Sequence, residues 1–232
     1  EAIDARAGEA FAMTLSDGQV LNSSQFRRAG KPTLEPILPD EGSVRAAGRF
    51  AGWEASLPMI SDDGRIRVTW RAVLRDQSNY LRQEVTLTPA ATSLHVKEMT
   101  VLDIEAPGAE MVGAVDGSPV RAGNLFFACE HPMASNRVEE GTVLCSLPRF
   151  REVEPGETFG ATSVVGVTAE GQLRRSFLYY LDRERARPYS PFVYYISWFD
   201  IAAPDRKMNE KLCLDRIEAF GREMVDKRGV KL

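Results

Sequence analysis

Two short stretches carry residues whose types could do chemistry. In PFVYYISWFDI (191–201), Trp198 and Asp200 follow a nearly continuous apolar run. An indole can stack on the apolar face of a sugar ring, and a carboxylate can accept hydrogen bonds from two hydroxyls, which together is what a sugar pocket requires. On the residues alone the preferred reading is the bland one, a core tryptophan followed by an aspartate that caps a loop. In FFACEHPMASN (126–136), Glu130 and His131 invite a general acid/base reading, because His titrates near neutrality and an adjacent acid can tune it. Consecutive residues on a strand point to opposite faces, however, and Pro132 suggests a loop, so the structural reading is preferred here.

The remaining chemistry-bearing residues are read as structural. His95 alternates with Leu94 and Val96 and reads as a surface or cross-strand residue. Arg174-Arg175 and the run from Arg183 to Arg187 read as solvated faces or interdomain salt bridges rather than a phosphate site. Trp53 and Trp70 are expected in the core. The sequence shows no phosphate-cradling glycine loop, no metal-ligand cluster and no nucleophile elbow, so neither a metal nor another cofactor is expected. Cys129, Cys145 and Cys213 lack zinc-site spacing. Cys129 and Cys145 could pair across neighbouring strands, but buried free thiols are the preferred reading.

Bulk properties narrow the partners. The 232 residues are 44% apolar and 27% charged with a formal net charge of −4, which suits a large core and argues against nucleic acid or an anionic membrane, both of which need a basic patch. No apolar run approaches the ~20 residues of a membrane helix. The sequence starts at Glu1 without an initiator Met or a basic-plus-apolar leader. Either a signal peptide has been removed or the sequence starts inside a longer one; the first case places the protein in the periplasm or outside the cell.

The elements that must position these residues are mostly strands. Ile66–Leu74, Asn79–Leu87, Leu94–Leu102 and Thr162–Thr168 alternate or are rich in strand formers, and Asp63-Gly64 and Pro155-Gly156 supply turns. About a dozen strands without a helix-period segment before residue 188 predict a large antiparallel two-sheet sandwich, with Val68, Trp70, Val85, Leu87, Val96, Val165 and Val167 buried. Pro188 and Pro191 mark a boundary. Beyond it, Phe192–Trp198 reads as a strand buried on both faces of a parallel sheet. Cys213, Ile217, Phe220 and Met224 then recur at helix spacing, with Asn209 as N-cap and Gly229 as stop. A βα unit of this kind cannot bury its faces alone, and 189–232 reads as the start of a longer element series.

PFVYYISWFDI followed by NEKLCLDRIEAFGREMVDKRGVKL resembles the first βα unit of the (β/α)8 barrel in glycoside hydrolases of the α-galactosidase (melibiase-like) clan. GSPVRAGNLFFACEHPMASN (117–136) and GQLRRSFLYYLDRERARP (171–188) are similar to segments upstream of such barrels in bacterial members. The resemblance implies a mainly β fold: a galactose-mutarotase-like supersandwich over 1–188, then the first strand and helix of a truncated catalytic barrel over 189–232. It implies carbohydrate as ligand, with Trp198 and Asp200 as substrate contacts at the carboxyl end of the first barrel strand. The clan's Asp-Asp-Gly-Trp motif and its two catalytic aspartates of a retaining mechanism have no counterpart in this sequence, so no catalytic residue is expected within it. The remainder of the barrel is the expected partner, and an uncovered apolar face of 189–232 could drive homo-oligomerisation. Two rival readings are a free-standing carbohydrate-binding module and a mutarotase-like epimerase using His131.

Overall fold

The computed structural model describes residues 8–191, 194–202 and 208–230. The chain divides into two compact units, Glu1–Pro188 and Tyr189–Leu232. The first is an antiparallel β-sandwich, as the strand pattern predicts. Its smaller sheet has the order β12-β13-β8-β1-β2. These strands are β1 (Ala12–Leu15), β2 (Val20–Asn22), β8 (Leu94–Glu105), β12 (Ser135–Glu139) and β13 (Thr142–Val153). The larger sheet has the order β3-β5-β6-β7-β14-β11-β10-β9, with β4 also pairing with β5. It is built from β3 (Phe26–Arg28), β4 (Thr33–Ile37), β5 (Gly52–Ser61), β6 (Ile66–Arg75), β7 (Tyr80–Pro89), β9 (Glu110–Met111), β10 (Val120–Ala122), β11 (Leu125–Cys129) and β14 (Phe159–Val167).

The β5–β6 hairpin turns at Asp63-Gly64 as expected. Gly64 takes φ +75°, a region open to glycine at little cost, and its N–H donates to the Ser61 carbonyl at 2.8 Å. The Asp63 carboxylate accepts from the Ser61 hydroxyl at 2.7 Å and from the Arg65 N–H at 3.0 Å. These bonds, with the Arg65 guanidinium, hold Asp63 down at about 2.

Side-chain alternation gives the large sheet two different faces. Val68, Val85, Leu87, Phe127 and Cys129 face the small sheet and meet Met13, Val96, Met99 and Val143 in the main core. Of the residues expected in this core, Val68, Val85, Leu87 and Val96 are buried, and Trp70 and Val165 are half-buried against it. Val167 is 56% exposed and Trp53 52% exposed. Val167 ends its strand, where alternation no longer implies burial, and Trp53, expected in the core, lies toward one end of β5 beside β4. Cys129 and Cys145 are both free and buried. Burial pushes the Cys129 thiol up to about 12 and raises Cys145 as well.

The outward face of the large sheet carries a second, smaller core. Tyr80, Phe126, Ala128 and Val164 are covered there by α1 (Leu173–Glu184), with Tyr180 buried and Leu173 and Phe177 half-buried. The sequence reading has no helix here, which the structure corrects. Leu173, Phe177 and Tyr180 recur at steps of four and three, which is helix spacing. Gly166 pairs with Phe126 in the β11–β14 ladder, and a methyl group on Gly166 would fall inside the Phe126 ring.

The second unit is described by itself. Its helix is the one expected: α2 (Glu210–Phe220) begins at Asn209, whose side chain accepts from the Leu212 N–H at 3.0 Å. The helix continues as a wider π-helical turn over Gly221–Asp226, and Gly229 takes φ +63°. The expected strand is not formed among the described residues. Phe192 and Val193 lie outside them, residues 194–196 have no regular structure, and Trp198–Ala202 forms a π-helical turn. A strand buried on both faces takes its ladder partners from neighbours, and the described residues of this unit include no strand to pair with. A helical turn satisfies its backbone groups locally instead. Of Val230-Lys231-Leu232, only Val230 is among the described residues.

Two outcomes check this packing. Gly166→Ala should cost about 1–3 kcal/mol by overpacking against Phe126, read as a lowered denaturation midpoint with an unchanged slope. Under native conditions at pH 8, Cys213 should alkylate well before Cys129 and Cys145, which should react only on unfolding.

Candidate functional site

The two sequence-predicted site residues lie in the second unit, on one π-helical turn. Trp198 is 58% exposed, so it is not a core residue there. One Asp200 oxygen accepts from the Tyr195 hydroxyl at 2.7 Å and from Arg216 Nε at 2.5 Å. Arg216 lies on α2, so the carboxylate ties the turn to the helix. The Arg216 hydrogen bond, followed by that of Tyr195, holds the Asp200 carboxyl below the usual carboxylate range. Beside this network, Tyr195 packs on Phe220 with ring centroids 5.0 Å apart. A cleft of about 390 Å3 opens next to it, lined by Tyr194, Ile201, Met208, Cys213, Ile217 and Phe220. An exposed indole and an ionised carboxylate two residues apart retain the chemistry of a sugar contact, although Arg216 and Tyr195 occupy an acceptor oxygen.

Glu130 and His131, in the first unit, do not form an acid/base pair. The Arg82 guanidinium grips both Glu130 oxygens, with Nη2 to Oε2 at 2.6 Å and Nε at 3.0 Å from each oxygen. The Tyr180 hydroxyl also donates to Glu130 Oε1 at 2.5 Å. His131 Nδ1 accepts the Met133 N–H at 3.0 Å, closing a tight turn across Pro132. Glu130 is a structural counter-ion, and the preferred reading of this stretch holds.

Glu130 belongs to a cluster that sequence reasoning did not assemble. Cross-strand pairing sets Arg82 of β7 beside Val164 of β14, and Val164 beside Ala128 of β11, all on the outward face. Glu184 closes the cluster from the last turn of α1. It accepts from the Tyr80 hydroxyl at 2.8 Å and pairs with Arg45 at 3.3 Å and Arg82 at 3.5 Å. Burial by itself would lower the Arg82 pKa. Hydrogen bonds and charge from Glu130, with the charge of Glu184, outweigh it and raise the value. Burial and the neighbouring carboxylates likewise raise Tyr80 and Tyr180, so both remain neutral donors. Arg183, expected on a solvated face, is 4% exposed. It donates to the carbonyls of Gln77 and Asp76, both at 3.0 Å, and lies 3.9 Å over the Phe50 ring. The signal for this was the helix period of 173–184, which puts Tyr180, Arg183 and Glu184 on neighbouring faces. Among the described residues, no group of His, Cys, Asp and Glu is placed to hold a metal ion.

Comparison with known proteins gives a likeness to solved structures only. No family model matches the chain, and no curated protein matches it. The α-galactosidase from Lactobacillus brevis matches at 10% identity, covering 75% of this chain and 31% of that one, with a TM-score of 0.49. The GH36 α-galactosidase AgaB from Geobacillus stearothermophilus matches at 12% identity, covering 71% and 30%, with a TM-score of 0.46. A variant of AgaA from the same organism, in complex with raffinose, matches at 13% identity over 68% and 29%, with a TM-score of 0.44. The chain thus spans about three tenths of the length of these enzymes.

Two measurements probe these networks. Arg82→Ala leaves Glu130, whose side chain is only 12% exposed, without a cationic partner and leaves Glu184 with Arg45 alone, and should cost about 3–5 kcal/mol of stability. The Asp200 carboxyl should titrate below an ordinary aspartate in NMR and move back up toward it in Arg216→Gln.

Proposed function

We propose that this chain is the N-terminal, non-catalytic part of a glycoside hydrolase acting on α-galactoside-like sugars. In this reading the sandwich supports a catalytic barrel, and Trp198 and Asp200 contact the substrate. The observation that carries it is the pair of stretches PFVYYISWFDI (191–201) and NEKLCLDRIEAFGREMVDKRGVKL (209–232), whose sequence resembles the first βα unit of such a barrel. The helix half of that unit supports the reading: Asn209 caps α2, and Gly229 takes the positive φ of a helix stop. The exposure of Phe199 and Ile217 also supports it, since a barrel strand and helix bury such side chains against their neighbours. The strand half, 192–198, would then form when neighbouring barrel strands supply its ladder. Carbohydrate is the expected ligand, and a periplasmic or extracellular location suits a sugar-degrading enzyme.

The 232-residue chain should not hydrolyse aryl α-galactosides, because the two positioned carboxylates of a glycosidase are not in it. In a longer polypeptide that is active, Trp198→Ala and Asp200→Ala should each lower kcat/KM by roughly 10²-fold with melting unchanged. Turnover by the short chain, or unfolding of both variants with kinetics per folded molecule intact, would contradict the proposal.

A further inference from the structure

The sandwich has a cleft of its own. On the outward face of the large sheet, a cavity of about 740 Å3 lies between β7, the turn after β11, and the C-terminal end of α1. That is within the ~300–1,000 Å3 of small-molecule sites. A second cleft of about 330 Å3 adjoins it, and the two share Arg45, Arg82 and Glu184. Phe177, Tyr180 and Pro132 give the larger cleft an apolar wall.

Its charge is opposite to that of the chain. Four guanidinium groups, Arg45, Arg82, Arg185 and Arg187, line the cleft against two carboxylates, Glu130 and Glu184. The whole chain carries −4. Both carboxylates are already satisfied, Glu130 by Arg82 and Tyr180, Glu184 by Tyr80, Arg45 and Arg82. The unspent capacity is on the donor side. Arg45 commits only Nη1, to Glu184. Arg185 reaches Asp182 through Nη2 at 3.2 Å, while its buried Nε has no hydrogen-bond partner. Among the described residues, Arg187 makes no hydrogen bond or ion pair. Of the described residues, Arg185 is the one with such an unpartnered buried atom that also lines this cleft. Guanidinium forks match the geometry of carboxylate and phosphate oxygens.

From this geometry we infer that the cleft binds a sugar-sized ligand through an oxyanion group, a carboxylate or a phosphate ester. Arg45, Arg185 and Arg187 supply the donors, and Phe177 and Tyr180 flank the ligand body. The Arg82–Glu130–Glu184 cluster fixes the floor and holds α1 in place, so these three residues position the site. The inference does not rest on the barrel reading, since every residue in it lies in the first unit.

The test is calorimetric titration of the 232-residue chain with glucuronate, glucose 6-phosphate and uncharged glucose at low salt. At least one anion should bind about tenfold or more tightly than glucose and should weaken as salt is added. The tighter of the two assigns the group as carboxylate or phosphate. Arg185→Gln and Arg187→Gln should each weaken that anion about threefold or more without shifting the melting temperature, as loss of a charge-assisted hydrogen bond requires. Equal binding of glucose, no binding of either anion at millimolar concentration, or full anion affinity in both variants would overturn the inference. None of these outcomes depends on catalysis, so the inference can fail while the proposed function stands.

Discussion

A guanidinium near the middle of a β-sheet has to be paired, and the pairing of Arg82 determines how the outward face of this sandwich is built. Its side chain is 23% exposed, and an unpaired charge at that depth would be costly. Glu130 meets it edge-on from the turn after β11, and Glu184 meets it from α1. Tyr180 and Tyr80 then complete the two carboxylates. One arginine thereby fixes three segments that are distant in sequence, and it leaves each carboxylate fully occupied. That occupancy disqualifies Glu130 as a general base, and it leaves the remaining arginines of the cleft in surplus.

The same sheet meets a different requirement on its other face. There Val85 and Leu87 of β7 are fully buried against the small sheet, where packing alone suffices. Alternation along one strand thus sends Tyr80 and Arg82 to a mixed aromatic and ionic layer, and Val85 and Leu87 to a dry core. The aromatic part of the outer layer depends on Gly166, because only a residue without Cβ leaves room for the Phe126 ring beside it. Phe126 in turn meets Phe177 edge-on at 5.4 Å, which seats α1. Packing and ion pairing therefore hold the helix at two separate places.

Much of the sandwich was legible in the sequence because its strands are long and alternate cleanly. β6, β7 and β8 lie where the pattern puts them, and the Asp63-Gly64 turn forms as its residues dictate. α1 is hard to discern, because its apolar positions are interleaved with Arg174, Arg175 and Arg183, and a charged run reads as surface. Arg183 is nonetheless buried, since Phe50 and two backbone carbonyls receive it, and those partners are remote in sequence. The apolar run before Trp198 reads as a strand from its composition and from its resemblance to a barrel strand. Composition marks a segment that seeks partners; it does not provide them, and the described residues of the second unit contain no ladder. The Trp198 and Asp200 pair was legible as chemistry, but the engagement of Asp200 by Arg216 and Tyr195 depends on a helix meeting a turn.

If Arg82 ties α1 to the sheet, the helix should share the stability of the strands beneath it. Native-state hydrogen exchange measures this directly, because amides that open only on global unfolding exchange at the global free energy. The account predicts that the amides of α1 from Phe177 to Glu184 are protected to nearly the same level as those of β7 and β14 and lose protection together with them as denaturant is added. Amides of α1 that exchange freely while β7 and β14 stay protected would show a helix merely resting on the sheet, and the account of the outward face would then be wrong.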